Sequence, residues 1–146
     1  ALVVSIMGIF NGVGRLIFSA VSDKLKSRET IYLIILGLSI VVTVVARYAN
    51  SNMAVYVALI VVSACYGAGF SCLPSLLSDI FGMDNISKIH GLSLTAWAMA
   101  GLVGNQISNF VHNNTGSYNP VFPVLTFLYA IALVAVLSLH YSRKER

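Results

Sequence analysis

Of the 146 residues, 58% are hydrophobic and only 10% are charged, and the mean hydropathy is +0.85. A soluble domain carries roughly 25% charged residues, so water is excluded as the main solvent, and the length counts membrane spans instead of globular domains. The formal charge of +4 would suggest nucleic acid or an anionic surface in a soluble protein, but in so apolar a chain its distribution between loops carries the information.

An apolar run of about 18 or more residues can cross a hydrocarbon core roughly 30 Å thick. Five segments qualify in turn: Ala1 to Val21, Thr30 to Tyr48, Met53 to Leu77, Ile89 to His112, and Val121 to Tyr141. The Val- and Ile-rich runs lack the period-two polarity of outer-membrane strands. Helices also satisfy their own backbone groups in lipid. The fold class is therefore all-α membrane protein with five transmembrane helices, one helical region over residues 1–146. The connecting loops SDKLKSRE, ANSN, SDIFGMDNISK and NNTGSYNP are short, so sequential helices are expected to pack antiparallel. Gly8 and Gly12, then Ala96, Ala100 and Gly104, recur every four residues and allow close helix contact.

Lys24, Lys26, Arg28, Lys88, Arg143, Lys144 and Arg146 fall on one side of this topology, and Arg47 alone on the other. The positive-inside rule makes the first side, with the C-terminus, cytoplasmic. The chain starts at Ala1 in mid-span with no basic lead or cleavage signal, which reads as an excerpt of a longer protein.

Arg15 in the first span is the most informative residue. It precedes the cytoplasmic loop by about eight positions, roughly 12 Å of helix rise, close to mid-membrane. A cation there costs from about 2.5 to more than 10 kcal/mol unless it faces a partner or a wet cavity. Gly12 and Gly14 clear side chains beside it, and Asn11 lies one turn away on the same face. A guanidinium presents a planar fork of donors suited to a carboxylate. Two readings stay open: recognition of an anionic substrate, or a structural ion that pairs with an acid elsewhere or snorkels to the interface. Ser5, Thr95, Asn105, Gln106 and Asn109 could line a path or simply bond between helices.

The third span holds YGAGFSCLPS, in which Pro74 removes a backbone donor and Gly67 and Gly69 loosen the preceding turn. A kink or local opening is expected; it would mark either a gate or an ordinary membrane proline. Cys65 and Cys72 are seven positions apart on that helix, about 10 Å of rise. That is too far for a disulfide, so they read as small apolar fillers. Trp97 stands mid-helix in the fourth span, either as a wall for an apolar substrate tail or as core packing. His90, His112 and His140 lie near span ends without metal-ligand spacing, and no nucleophile elbow or P-loop occurs, so no metal, cofactor or enzyme chemistry is expected. Asn113-Asn114-Thr115 is a glycosylation sequon on the outer side.

These pieces resemble a known family. SAVSDKLKSR, with Asp23, Lys24 and Arg28, resembles the cytoplasmic loop signature of the major facilitator superfamily. In that superfamily the motif follows helices two and eight; four further helices here imply helices eight to twelve of a twelve-helix bundle. A six-helix half would then need one more span before Ala1. NGVGRLIFSAVSDK, GAGFSCLPSLLSDIFG and HGLSLTAWAMAGLVGNQ are similar to the oxalate/formate antiporter and monocarboxylate transporter group. The resemblance implies a carboxylate-recognising arginine at Arg15, with Asn11 where many monocarboxylate carriers have an acid. It also implies alternating access, with Asp23 and its basic neighbours latching the cytoplasmic side.

Oxalate carriers have a lysine on helix eleven, whereas Ile89 to His112 contains no Lys or Arg. A monoanion is therefore preferred, because one buried cation balances one carboxylate. The expected function is proton symport or anion exchange of a small monocarboxylate across a plasma or bacterial inner membrane. Its expected partners are the anion, the bilayer and the missing helices of the same chain. The rivals are a carrier for a neutral or cationic solute, with Arg15 structural, and a non-transporting membrane subunit or sensor.

Overall fold

The computed structural model describes residues 2–25, 27–49 and 51–144. Ala1, Lys26, Asn50, Glu145 and Arg146 lie outside the described residues, and with them the start of the first span and two of the basic residues counted above. The chain forms five helices, α1 (Leu2–Ser22), α2 (Glu29–Tyr48), α3 (Asn52–Phe81), α4 (Ile86–Thr115) and α5 (Val121–Lys144). The spans drawn from hydropathy match them closely in the first two cases. They fall short for α3 and α4, each 30 residues long. At 1.5 Å per residue such a helix is about 45 Å long, against roughly 30 Å of hydrocarbon, so its polar ends extend beyond what an apolar window can detect. α3 stops at Gly82 (φ 76°) and α4 at Gly116 (φ 67°). Glycine takes this positive-φ position at a helix C-terminus without a Cβ clash. The Gly82 and Gly116 N–H groups donate to the Ser78 and His112 carbonyls at 2.9 and 2.8 Å.

Among the described residues, α1, α2, α3 and α5 are long and apolar enough to cross a membrane. α4, predicted as the fourth span, is equally long but falls below that hydropathy because of its asparagines, Gln106, serines and threonines. None of its described residues is buried.

Side-chain pairs give the register. Asn11 bonds to Ser63 and Ser19 to Ser71, so α1 and α3 run parallel side by side. Tyr32 meets Gly69, while Thr43 meets Thr126 and Glu29 meets Arg143; α2 is therefore antiparallel to both α3 and α5. The packed order is α1, α3, α2, α5, with α4 resting lightly on α3 and α5. The core lies between α2 and α3, where Ile31, Ile35, Cys65, Ala68 and Cys72 are buried against Phe18, Tyr32, Leu36 and Val61. Both cysteines are free and buried, small fillers as expected.

α1 and α3 touch through their backbones. A Cβ on Gly14 would sit 2.2 Å from the Ala64 carbonyl oxygen, and one on Gly67 would sit 2.1 Å from that of Asn11. Only glycine fits at either place, because the obstacle is main chain and cannot swing aside. Gly67 thus has a different role from the one its neighbourhood to Pro74 suggested. α3 continues as one α-helix through Pro74, and the local opening expected around Gly67, Gly69 and Pro74 is not present. Pro74 cannot donate to the Phe70 carbonyl one turn back. The adjoining Gly69 carbonyl accepts the Tyr32 hydroxyl at 2.7 Å, so the weakened turn is braced by α2. Packing on both sides holds the helix together where the proline alone would loosen it.

Gly67→Ala is expected to destabilise the protein by about 1–3 kcal/mol, the usual cost of forcing atoms into a filled contact. Gly37→Ala, where a Cβ meets nothing within 4 Å, should be neutral or stabilising by up to about 1 kcal/mol through helix propensity. Thermal unfolding of the purified protein in detergent checks the pair, and equal shifts would mean that α1 does not cross α3 at these glycines.

Candidate functional site

The α1–α3 crossing carries the polar residues singled out in the first span. Asn11 donates through Nδ2 to the Ser63 carbonyl at 3.1 Å and accepts at Oδ1 from Arg15 Nε, also at 3.1 Å. This spacing of four residues puts the two side chains on one helical face. The amide orients the guanidinium at one edge, and the guanidinium carbon lies 5.3 Å from the centre of the Phe70 ring on α3, within cation–π range. Close approach of the helices makes this possible: the Arg15 Cγ lies 3.2 Å from where a Gly67 Cβ would stand, so a larger residue at 67 would displace the arginine stem. One turn on, Ser19 Oγ donates to Ser71 Oγ at 3.0 Å, and Ser71 Oγ lies 3.4 Å from the Arg15 carbonyl.

Trp97 joins this group from α4. Its ring meets Phe70 edge-on, centroids 5.8 Å apart, and its Nε1–H donates to the Tyr66 hydroxyl. Arg15, Asn11 and Trp97, chosen from three separate arguments about charge, spacing and depth, thus converge through Phe70 and Tyr66. Those two aromatics were missed by sequence reasoning. They stand four residues apart in YGAGF and share a helical face, a signal that lay within the segment examined only for a break. Arg15 is exposed, and Tyr66 and Trp97 are half exposed. Among the described residues Arg15 makes no ion pair, and Asn11 Oδ1 is the acceptor its side chain engages. The guanidinium is therefore held at Nε and by the ring, and its two terminal amino groups make no hydrogen bond or ion pair among the described residues. That arrangement suits a planar anion. Of the weaker candidates, Asn109 donates to Asn105 on α4, and Thr95 bonds back to Gly91.

The second cluster lies at the end of the bundle that holds the α1–α2 turn. Arg28 lies between Asp23 at 3.7 Å and Asp79 at the end of α3 at 3.1 Å. Asp23 is 70% exposed, so the Asp23–Arg28 pair is a weak one. Lys24 is exposed and makes no ion pair among the described residues. The buried member is Glu29, 1% exposed at the start of α2, which accepts from Ser27 and from Arg143 of α5. Arg143 also donates to the Asp79 carbonyl at 3.3 Å. One network therefore ties the α1–α2 turn to the ends of α3 and α5. The loop motif identified Asp23, Lys24 and Arg28 but not Glu29, Asp79 or Arg143, since partners more than fifty residues away leave no mark on local spacing.

Removing one member of a largely buried pair leaves an uncompensated charge. Glu29→Gln is expected to cost about 1–3 kcal/mol, between the values for exposed and fully buried pairs because Arg143 remains partly exposed. A double-mutant cycle with Arg143→Gln, read by thermal unfolding, should recover most of that cost as coupling; additive effects would show that the pair is not formed.

The sequence comparisons agree with this architecture. The chain is 25% identical to the mouse protein named monocarboxylate transporter 10 over 96% of its own length and 28% of that relative. It is 27% identical to the oxalate:formate antiporter of Oxalobacter formigenes over 89% of the chain and 32% of the relative. The zebrafish monocarboxylate transporter 10 is 25% identical over 80% of the chain and 23% of that protein. The chain thus spans about a quarter to a third of the length of these curated relatives. No solved structure matches it. The family model of the Major Facilitator Superfamily matches residues 1–146, and the chain, an all-α integral membrane protein, belongs to that superfamily of transporters.

Proposed function

We propose that this chain forms helices eight to twelve, in the C-terminal half of a secondary carrier for a small monocarboxylate, with Arg15 as the anion-recognising residue. The observation that carries the reading is the state of Arg15. Its Nε is bound by Asn11 and its carbon lies over the Phe70 ring, while no acid among the described residues neutralises it. A cation at this depth requires an anionic or watery partner, and a carboxylate fits the remaining fork bidentately. The names of the relatives, a monocarboxylate transporter and an oxalate:formate antiporter, point to the same class of cargo.

One charge on the site side favours one carboxylate over two, because a dianion would leave charge uncompensated in a poorly hydrated site. The cycle is alternating access by proton symport or anion exchange, this half rocking against the other around the Arg15 site. The charged turn with Asp23, Lys24 and Arg28 forms the cytoplasmic latch, the C-terminus is cytoplasmic, and the host is a plasma or bacterial inner membrane. The network of Arg28, Glu29, Asp79 and Arg143 keeps the ends of α2, α3 and α5 together, so that this half moves as one body.

Counterflow of radiolabelled lactate, formate and oxalate in vesicles holding the full-length carrier tests the proposal. Arg15→Gln should lower monocarboxylate exchange by about 10- to 100-fold, the worth of a charge-assisted hydrogen bond. Arg15→Lys should fall between, since it keeps the charge and loses the fork. Unchanged exchange in correctly inserted variants would make Arg15 a structural ion and overturn the reading.

A further inference from the structure

Behind the aromatic group lies a cavity of about 300 Å³ between α2, α3, α4 and α5, at the lower end of small-molecule sites. Its wall is apolar and aromatic, and four of its polar groups are already committed. The Tyr32 hydroxyl donates to the Gly69 carbonyl, Ser39 to Ile35, Ser93 to Ile89 and the Trp97 indole to Tyr66. Water is held in a cavity only where it finds two or more polar partners, and these donors offer it little. The space suits an apolar guest.

The cavity also adjoins the Arg15 site across one shared ring, Phe70. Tyr66, Phe70 and Trp97 line it, and Phe70 is the ring over which the Arg15 guanidinium sits. Tyr66 and Trp97 are each about half exposed, so the aromatic wall faces outward as well as inward. A carboxylate bound at Arg15 therefore has its remaining atoms beside an aromatic wall with an apolar space on its other side. A formate- or oxalate-sized anion would leave that space empty.

We propose that this cavity receives the apolar tail of the carboxylate held at Arg15, so that the substrate class is a monocarboxylate bearing an alkyl or aryl group. The inference rests on the Arg15 reading above and adds the tail. Ser93 contributes one wall from α4, with its hydroxyl turned back to the Ile89 carbonyl at 3.0 Å. A leucine there fills space without stranding a donor, and alanine at the neighbouring Leu94 enlarges it.

The test is ligand-induced thermal stabilisation of the full-length carrier in detergent by acetate, butanoate, hexanoate and phenylacetate, from which apparent dissociation constants follow by linkage. Affinity should rise about fourfold per buried methylene from acetate to hexanoate, and Arg15→Gln should abolish stabilisation by every acid. Ser93→Leu should lower the hexanoate-to-acetate affinity ratio by at least about tenfold, the equivalent of two excluded methylenes. Leu94→Ala should move the best-bound tail to a longer one, which keeps the proposal testable if the leucine variant does not fold. A flat series that still depends on Arg15 would overturn the tail site while leaving the monocarboxylate reading intact. A chain-length gain that persists in Arg15→Gln would assign the cavity to lipid or detergent chains and overturn it also. Failure of every acid to stabilise the wild type would overturn both proposals together.

Discussion

The backbone contact between α1 and α3 at Gly14 and Gly67 is the constraint on which the rest of the arrangement depends. Two helices can approach this closely only where a residue without a Cβ faces the opposing backbone, and here Gly14 faces the Ala64 carbonyl and Gly67 that of Asn11. In an apolar solvent there is little hydrophobic drive to bring helices together; close packing and interhelical hydrogen bonds supply it. The crossing provides both. It brings Asn11 within reach of the Ser63 carbonyl and Ser19 within reach of Ser71, and it sets Arg15 over Phe70. Widening the gap by a methyl group would loosen all of these contacts at once, since they lie on one face within about two helical turns.

The same need to satisfy polar groups shapes the other contacts. Thr43 and Thr126 approach at 3.1 Å between α2 and α5, where Thr43 also bonds back to its own helix. The Tyr32 hydroxyl takes up the Gly69 carbonyl in the turn before Pro74. At the charged end, burial of Glu29 is tolerable because Ser27 and Arg143 both donate to it, as a buried carboxylate requires. These bonds bind α1, α2, α3 and α5 into one packed unit. α4 stands apart, with no buried residue among those described and only light contact with α3 and α5. Its polar residues require protein or water against them at membrane depth, and the tryptophan that reaches the Arg15 group is carried on this loosely held element.

Hydropathy, loop charge and the cost of a buried cation were legible from the residues alone. They located the five helices, excluded a soluble domain and selected Arg15, Asn11 and Trp97 before any contact was known. Each is a property of single residues or short windows: an apolar run long enough for a bilayer, a guanidinium about eight positions inside a span, an amide one turn away. The local signature likewise located the charged turn at Asp23, Lys24 and Arg28. Hydropathy was less informative at the ends of α3 and α4, where the helices continue into polar sequence under hydrogen bonding and glycine stops that an apolar window does not register.

Only the tertiary structure decided which residues meet. Gly67 read as a source of looseness because it precedes Pro74, yet the opposing carbonyl of Asn11 makes it a packing surface, and α3 stays helical because α1 and α2 support it on two sides. Phe70 acquired a place in the site through its contacts with Arg15 and the Trp97 ring, and Tyr66 through the hydrogen bond its hydroxyl accepts from Trp97, while Glu29 became the buried node of the charged end through Arg143 of α5, 114 residues away. The physical reason is the same in each case. A side chain's identity fixes what it can bond to and what its burial costs, while the partner that satisfies it is chosen by helix crossings that bring distant parts of the chain within a few ångströms.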